Sequence, residues 1–240
     1  MADLPAHKIF PLGDSAITID FGNRISEELN NIVIGYFEQL QSAAFDGFIE
    51  AVPSYSSLTI YYDPVRVREG HPDRTAFTVV RELAEKMVEE QPGERMAGHD
   101  LIRVPVCYHL SFGIDLDALA REKNMSPDEL IQIHCSRTYR VYMLGFLPGF
   151  AYMGPVDDRI IAARKLQPRP RIEPGSVAIA GRQTGIYPLA SPGGWQIVGR
   201  TYLTLFDPTK EPITYFKAGD RVQFYPISID EYNDHKGGHS

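Results

Sequence analysis

Only two cysteines, Cys107 and Cys135, occur in the 240 residues, with no Cys-x-x-Cys pair and no histidine at zinc spacing beside them. A disulfide framework and a structural metal are disfavoured, and both thiols read as small packing residues. Long apolar runs are missing as well: none approaches the ~20 residues that cross a bilayer, and the opening MADLPAHKIF lacks the basic-then-apolar layout of a secretion leader. The expectation is a cytoplasmic protein without a membrane partner. Positive charge is scarce, 24 Lys and Arg against 31 Asp and Glu for a net charge of −7. That balance argues against nucleic acid and leaves any anion recognition to local arginine clusters. The signature loops G-x-x-x-x-G-K-[ST], H-E-x-x-H, G-x-S-x-G and G-x-G-x-x-G are absent, as is a biotin attachment site. The enzyme classes that carry these signatures lose support, and no metal is expected.

What is present is ordinary for a soluble fold with a real core, 43% hydrophobic residues. Alternation from Ser15 to Phe21 predicts a strand, and Ser26 caps a helix carrying Leu29, Ile32, Val33, Tyr36, Phe37 and Leu40. Two β-rich runs, Phe48 to Val52 and Leu58 to Tyr62, form a hairpin across Pro53 to Ser57, and a second helix spans about Thr75 to Glu89. This order predicts an α+β unit of split β-α-β, ferredoxin-like type over residues 1–95, closed by a further strand near 94–104. The polar, Gly/Pro-containing stretch from Glu89 to Asp100 reads as linker, and the boundary is placed there.

Beyond it come a strand at Leu101 to Tyr108 and two short helices, the second opened by Ser126-Pro127-Asp128-Glu129 as a capping box. Strands then recur at Tyr139 to Leu144, Ser176 to Ala180, Trp195 to Gly199, Tyr202 to Phe206 and Arg221 to Tyr225. Many short strands cut by Gly/Pro turns predict a closed or nearly closed barrel over residues 96–230, with residues 231–240 as a disordered tail.

The barrel is organised around Gly175 to Thr201, GSVAIAGRQTGIYPLASPGGWQIVGRT. Gly185, Pro188, Pro192, Gly193 and Gly194 fix or free the backbone at close intervals, so peptide N–H groups can approach a ligand. Gln183, Thr184, Tyr187, Trp195 and Arg200 add an amide, a hydroxyl, a phenol, a broad apolar face and a cation. A β-hairpin with a buried Trp and a surface Arg accounts for the same residues. His134, near a helix C-terminus that stabilises imidazolium, is a candidate acid, base or relay, or else a structural histidine. LGFLPGFAYMG sets Phe146, Phe150 and Tyr152 around Pro148-Gly149 as one wall of a pocket or as a tight aromatic turn. Arg164, Lys165, Arg169 and Arg171 form a basic cluster suited to a carboxylate or phosphate, or simply to solvation.

Taken together, GDSA, VPSYSSLTIYYDP, the spacing of His134 and Tyr139, LGFLPGFAYMG and the long Gly175 to Thr201 motif closely resemble the KipI family. Its members are also described as the B subunit of 5-oxoprolinase, as allophanate hydrolase subunit 1 or as a carboxyltransferase C/D-type domain, and the likeness runs from about residue 8 to 227. The resemblance implies a small α+β domain followed by a cyclophilin-like β-barrel. It implies a sister partner of related barrel fold, of the 5-oxoprolinase C subunit or KipA type, together with an A subunit. With these partners, ATP hydrolysis drives the opening of 5-oxoproline to glutamate. Alternative branches are a histidine-kinase inhibitor and the carboxyltransferase part of urea carboxylase.

An unstrained lactam is held by amide resonance, and phosphorylating its oxygen gives an imidate that water attacks. Under this resemblance His134 and Arg200 are the catalytic candidates, with the Gly193-Gly194 turn beside the developing oxyanion. Gln183, Thr184, Tyr187, Pro192, Gly193, Gly194, Trp195 and Phe150 bind the substrate. ATP is the cofactor, bound by or shared with the partners, because this chain has no phosphate loop. Where relatives carry an acid after a Gly-Gly pair, this chain has Ser111, and Tyr202 replaces a frequent proline.

Overall fold

The computed structural model describes residues 5–90 and 101–237. Contacts gather the chain into two compact units, Met1–Gly98 and His99–Ser240, and the boundary expected after residue 95 lies outside the described residues.

In the first unit β1 (Lys8–Pro11) and β2 (Ala16–Asp20) form a hairpin. α1 (Glu27–Ser42), β3 (Phe48–Pro53), β4 (Ser57–Tyr62), α2 (Pro64–Glu69) and α3 (Ala76–Glu90) follow. The sheet order is β1-β2-β4-β3 with every neighbouring pair antiparallel, so β2 and β3 run parallel with β4 between them. Strand period sets the burial of β4: Leu58, Ile60 and Tyr62 face the core while Ser57, Thr59 and Tyr61 are half-buried. Ser26 starts α1 by accepting the Leu29 N–H, and α1 and α3 bury Val33, Tyr36, Val80 and Val88 with the sheet in one core.

The fourth strand differs from the expectation. No closing strand follows α3 within the described residues; Leu101 opens a barrel strand, and β1 occupies the edge beside β2. A hairpin turning through Gly13, whose φ is +69°, reaches that edge by a short local closure. Asp63-Pro64 ends β4 and opens α2. The Asp63 carboxylate accepts the Val65 and Arg66 N–H groups and starts α2.

The second unit holds β5 (Leu101–Cys107), α4 (Leu116–Glu122), α5 (Pro127–Cys135), β6 (Tyr139–Leu144) and β7 (Ala151–Gly154). After a 3-10 turn at Asp158–Ile160 come β8 (Arg169–Ile172), β9 (Ser176–Ala180), β10 (Gln183–Ile186), β11 (Ser191–Gly193), β12 (Gln196–Arg200), β13 (Arg221–Ile227) and α6 (Ile229–Gly237). Seven strands close into a barrel in the order β10-β7-β6-β13-β5-β12-β9, while β8 and β11 form a separate pair. Closure leaves no open edge, and Val104, Val141, Met153, Val177, Ile179, Val198 and Phe224 belong to its core.

Two expectations for this unit are corrected. Tyr202 to Phe206 is not a strand; its pairing is limited to an isolated Phe206 to Thr214 bridge and a Tyr215 N–H donated to the Leu205 carbonyl. Nor are residues 231–237 a disordered tail, because α6 runs to Gly237; residues 238–240 lie outside the described residues. Ser228 and Glu231 cap it reciprocally, the Glu231 N–H reaching Ser228 Oγ at 3.1 Å and the Ser228 N–H reaching Glu231 Oε2 at 2.7 Å. The buried Tyr232 ring lies 4.5 Å from that of Phe112, which docks the helix. No helix among the described residues is long and apolar enough to cross a membrane.

Candidate functional site

The outer face of the barrel beside β9, β10 and β12 carries small side chains, Ala178 and Ala180, and a glycine, Gly185. Aromatic rings fill the space they leave. A Cβ on Gly185 would stand 2.9 Å from the Ala151 carbonyl oxygen and 3.0 Å from Phe150 Cζ, so glycine is what lets the Phe150 ring approach the strand this closely. Phe150, Tyr187 and Trp195 are buried there with Ile172 and Ile197 in a cluster of their own. The rings meet edge to face: Phe150 to Trp195 at 5.4 Å and 89°, Phe150 to Tyr187 at 5.3 Å and 78°. Their packing leaves a recess of about 290 Å³, small beside most ligand pockets, rimmed by Phe146, Tyr152, Arg164, Lys165, Pro168, Pro192, Gly193 and Gly194.

Gly193 has to be glycine for a steric reason. An added Cβ would lie 2.4 Å from the Tyr187 hydroxyl and 2.5 Å from Ile172 Cδ1. Burial raises the Tyr187 pKa, an effect the neighbouring backbone N–H of Trp195 opposes, so the group stays protonated at neutral pH. Phe146 stands at the mouth, 61% exposed, with φ of +68°. Left-handed backbone at a bulky residue is strained, and strain of that kind concentrates where a side chain must be presented.

The opposite wall is a strap, residues 163–168, fastened to the barrel by Asp115. Asp115 precedes α4, yet its side chain does not cap that helix. The carboxylate is buried and accepts the Ile197 N–H at 2.8 Å, Arg169 through two bonds at 2.6 and 2.8 Å, and the Lys165 ammonium at 2.7 Å. Burial alone would raise its pKa, but the bonds from Arg169, Lys165 and Ile197 outweigh it and hold the carboxyl below its ordinary range. On the strap itself the Lys165 N–H donates to the Gly194 carbonyl at 2.7 Å, and the Gln196 amide donates to the Ala163 carbonyl at 2.9 Å.

The residues singled out from sequence therefore divide. Phe150, Tyr187, Pro192, Gly193, Gly194 and Trp195 line the recess; Gln183, Thr184, His134 and Arg200 do not. His134 is completely buried among the barrel's inward side chains, stacked on Phe224 with ring centroids 4.6 Å apart. Its Nε2 lies 2.9 Å from Thr184 Oγ1, which in turn donates to the Ala178 carbonyl, so Thr184 also serves the interior. Burial pushes the His134 pKa down to about 3, and the charged imidazolium expected at the helix end gives way to a neutral ring.

Arg200 pairs with Cys107 and Ser176 in the barrel wall, its guanidinium 5.0 Å over the Phe112 ring. Five residues along a strand place it roughly 16 Å from Trp195. The cations at the recess are Arg164 and Lys165, and the positioning acid is Asp115. The proline-interrupted basic cluster is the sequence signal for the first two; Asp115 carries none. Among the described residues no cluster of three His, Cys, Asp or Glu side chains is placed to hold a metal ion.

Residues 7–216 match a family model described as carboxyltransferase domain, subdomain C and D. The B subunit of 5-oxoprolinase from Bacillus subtilis is 43% identical over 232 residues, covering 96% of this chain and 97% of the relative. That of Haemophilus influenzae is 33% identical over 227 residues, 92% and 99% of the two chains. Among solved structures, TTHA0988 aligns with a TM-score of 0.77 at 35% identity over 89% of this chain, which spans only 40% of that longer protein.

Proposed function

Because the chain belongs to the family of carboxyltransferase domains of subdomain C and D type, with relatives named as the B subunit of 5-oxoprolinase, we propose that it fills the same place in a 5-oxoprolinase of its own. In this reading it works with a sister barrel protein, the C subunit, and with an A subunit; the complex hydrolyses 5-oxoproline to glutamate with ATP. The barrel is taken as cyclophilin-like in architecture, with function carried by the recess and not by the fold.

One observation carries the reading: Phe150, Tyr187 and Trp195 converge into a small aromatic recess beneath two strap cations. 5-Oxoproline is a flat five-membered lactam bearing a carboxylate. Aromatic walls take its ring and shed water, and a cation takes its charge. The backbone N–H of Trp195 lies beside the Tyr187 phenol, whose own proton has no acceptor among the described residues. That proton is available to the lactam oxygen, where negative charge develops when the ring carbon is attacked.

A nucleoside triphosphate needs a cradle of backbone N–H groups and several free cations. The recess offers Arg164 and Lys165, and Lys165 is already engaged by Asp115. ATP does not fit here, and the reading assigns it to the partner proteins. The test is to co-purify the chain with its A and C partners and measure ATP-dependent glutamate release from 5-oxoproline. Turnover that falls on Tyr187→Phe supports the reading, and an intact complex without turnover overturns it.

A further inference from the structure

We propose that Arg164 is the carboxylate anchor of the recess, making it selective for small flat rings that carry an acid group over the same rings without one. The inference rests on the function proposed above and deepens it. Of the basic residues in and beside the strap, Lys165 and Arg169 are held by Asp115, and Arg171 pairs with Glu173 at 2.7 Å. Arg164 has no ion-pair partner among the described residues. Its guanidinium stands 5.8 Å from the Trp195 ring centroid, on the rim of the recess.

The backbone on either side of Arg164 is pinned, the Ala163 carbonyl by the Gln196 amide and the Lys165 N–H by the Gly194 carbonyl. Such fastening fixes where the side chain starts, so its fork is presented without ordering a loop first. The charge also reaches into the recess, because it favours ionisation of both Tyr152 and Tyr187 against the stronger effect of burial. In an acidic chain, a cation left unpaired above an aromatic floor is an arrangement that a carboxylate completes, with two parallel N–H···O bonds. Lys165, turned toward Asp115, adds background potential and not a contact.

Trp195 is the sole tryptophan of the chain, so its emission reports the recess directly. The full-length protein is titrated with 5-oxoproline and with 2-pyrrolidinone, the same lactam lacking the carboxylate. The expected result is an emission change with 5-oxoproline, an apparent Kd raised about tenfold or more in Arg164→Gln, partial recovery in Arg164→Lys, and little response to 2-pyrrolidinone in any variant. An equal response of wild type and Arg164→Gln, an equal response to both lactams, or no response to either overturns the inference. In the reconstituted complex, Arg164→Gln raises KM for 5-oxoproline while kcat stays within about twofold. Turnover without any Trp195 response removes this inference and leaves the 5-oxoprolinase reading standing. A Trp195 response that depends on Arg164 without turnover does the reverse.

Discussion

The phenolic oxygen of Tyr108 stands 2.7 Å from Nδ1 of His134, and the two side chains form the centre of a polar chain through the barrel interior. Cys135 Sγ donates to Tyr108, Tyr108 donates to Nδ1, Nε2 donates to Thr184, and Thr184 donates to the Ala178 carbonyl. The direction of donation follows from the last member, because a carbonyl can only accept. His134 is therefore held as the neutral Nε2–H tautomer, and Tyr139 further fastens its backbone by donating to the His134 carbonyl at 2.8 Å.

This arrangement makes stability depend on pH in a set direction. The ring titrates at 6.5 when free and is pushed down to about 3 in the fold, so between those values the unfolded chain binds the proton and the native chain does not. Stability rises with pH across that window and is lost as pH falls below 6.5, by about 1.4 kcal/mol per unit, or about 2 kcal/mol at pH 5. Urea unfolding of the wild type and His134→Gln at a series of pH values checks it. The variant is the less stable at pH 7, and the gap narrows by that slope on acidification. A gap that does not change between pH 7 and 5 contradicts the assignment.

Phe146 yields a prediction in which stability and binding part company. Its left-handed backbone costs about 1–2 kcal/mol at a side chain of this kind, whereas asparagine tolerates that region. Edge-to-face contacts with Phe150 at 5.6 Å and Tyr187 at 6.4 Å return about 0.5–1.5 kcal/mol each, at a ring that is mostly exposed. Phe146→Asn is thus expected to leave the unfolding free energy within about 1 kcal/mol of wild type, while the Trp195 emission response to ligand weakens severalfold. A loss of several kcal/mol would mark the ring as structural.

How much of this is legible in the sequence depends on whether a signal is local. The apolar alternation at Val177 and Ile179 locates β9, and Ser126-Pro127 locates α5, because strand period and helix caps are written within a few residues. The Gly193 to Trp195 turn points to the recess for the same reason. Arg200 draws weight because it directly follows a glycine at the end of a strand, yet that strand carries it away from Trp195. Arg164 reaches the recess only after the strap has folded back onto Gly194. The charge on His134 misleads because a helix terminus is visible locally, whereas burial against Phe224, ninety residues on, is not. The edge filled by β1 escapes notice because a four-residue strand with one half-buried side chain has almost no period to read.

Asp115 supplies the last prediction, since one carboxylate holds both the strap and the start of β12. Asp115→Asn keeps an acceptor for the Ile197 N–H but withdraws the charge that Lys165 and Arg169 share. Removing one member of a buried pair costs about 3–5 kcal/mol; the two cations are 28% and 26% exposed and gain some hydration, which places the loss near 3 kcal/mol. Because the folded pKa lies below the unfolded 3.8, the carboxylate contributes fully at pH 7, and its contribution disappears as pH falls through the folded value. The stability gap between wild type and variant should therefore be constant above pH 5 and shrink below pH 4. With the strap unfastened, the variant should also exchange the Lys165 amide faster, a proton now donated to Gly194. If Asp115→Asn unfolds at the same urea concentration as wild type and the Lys165 amide keeps its protection, the strap is held by its backbone bonds alone and Asp115 does not position the recess cations.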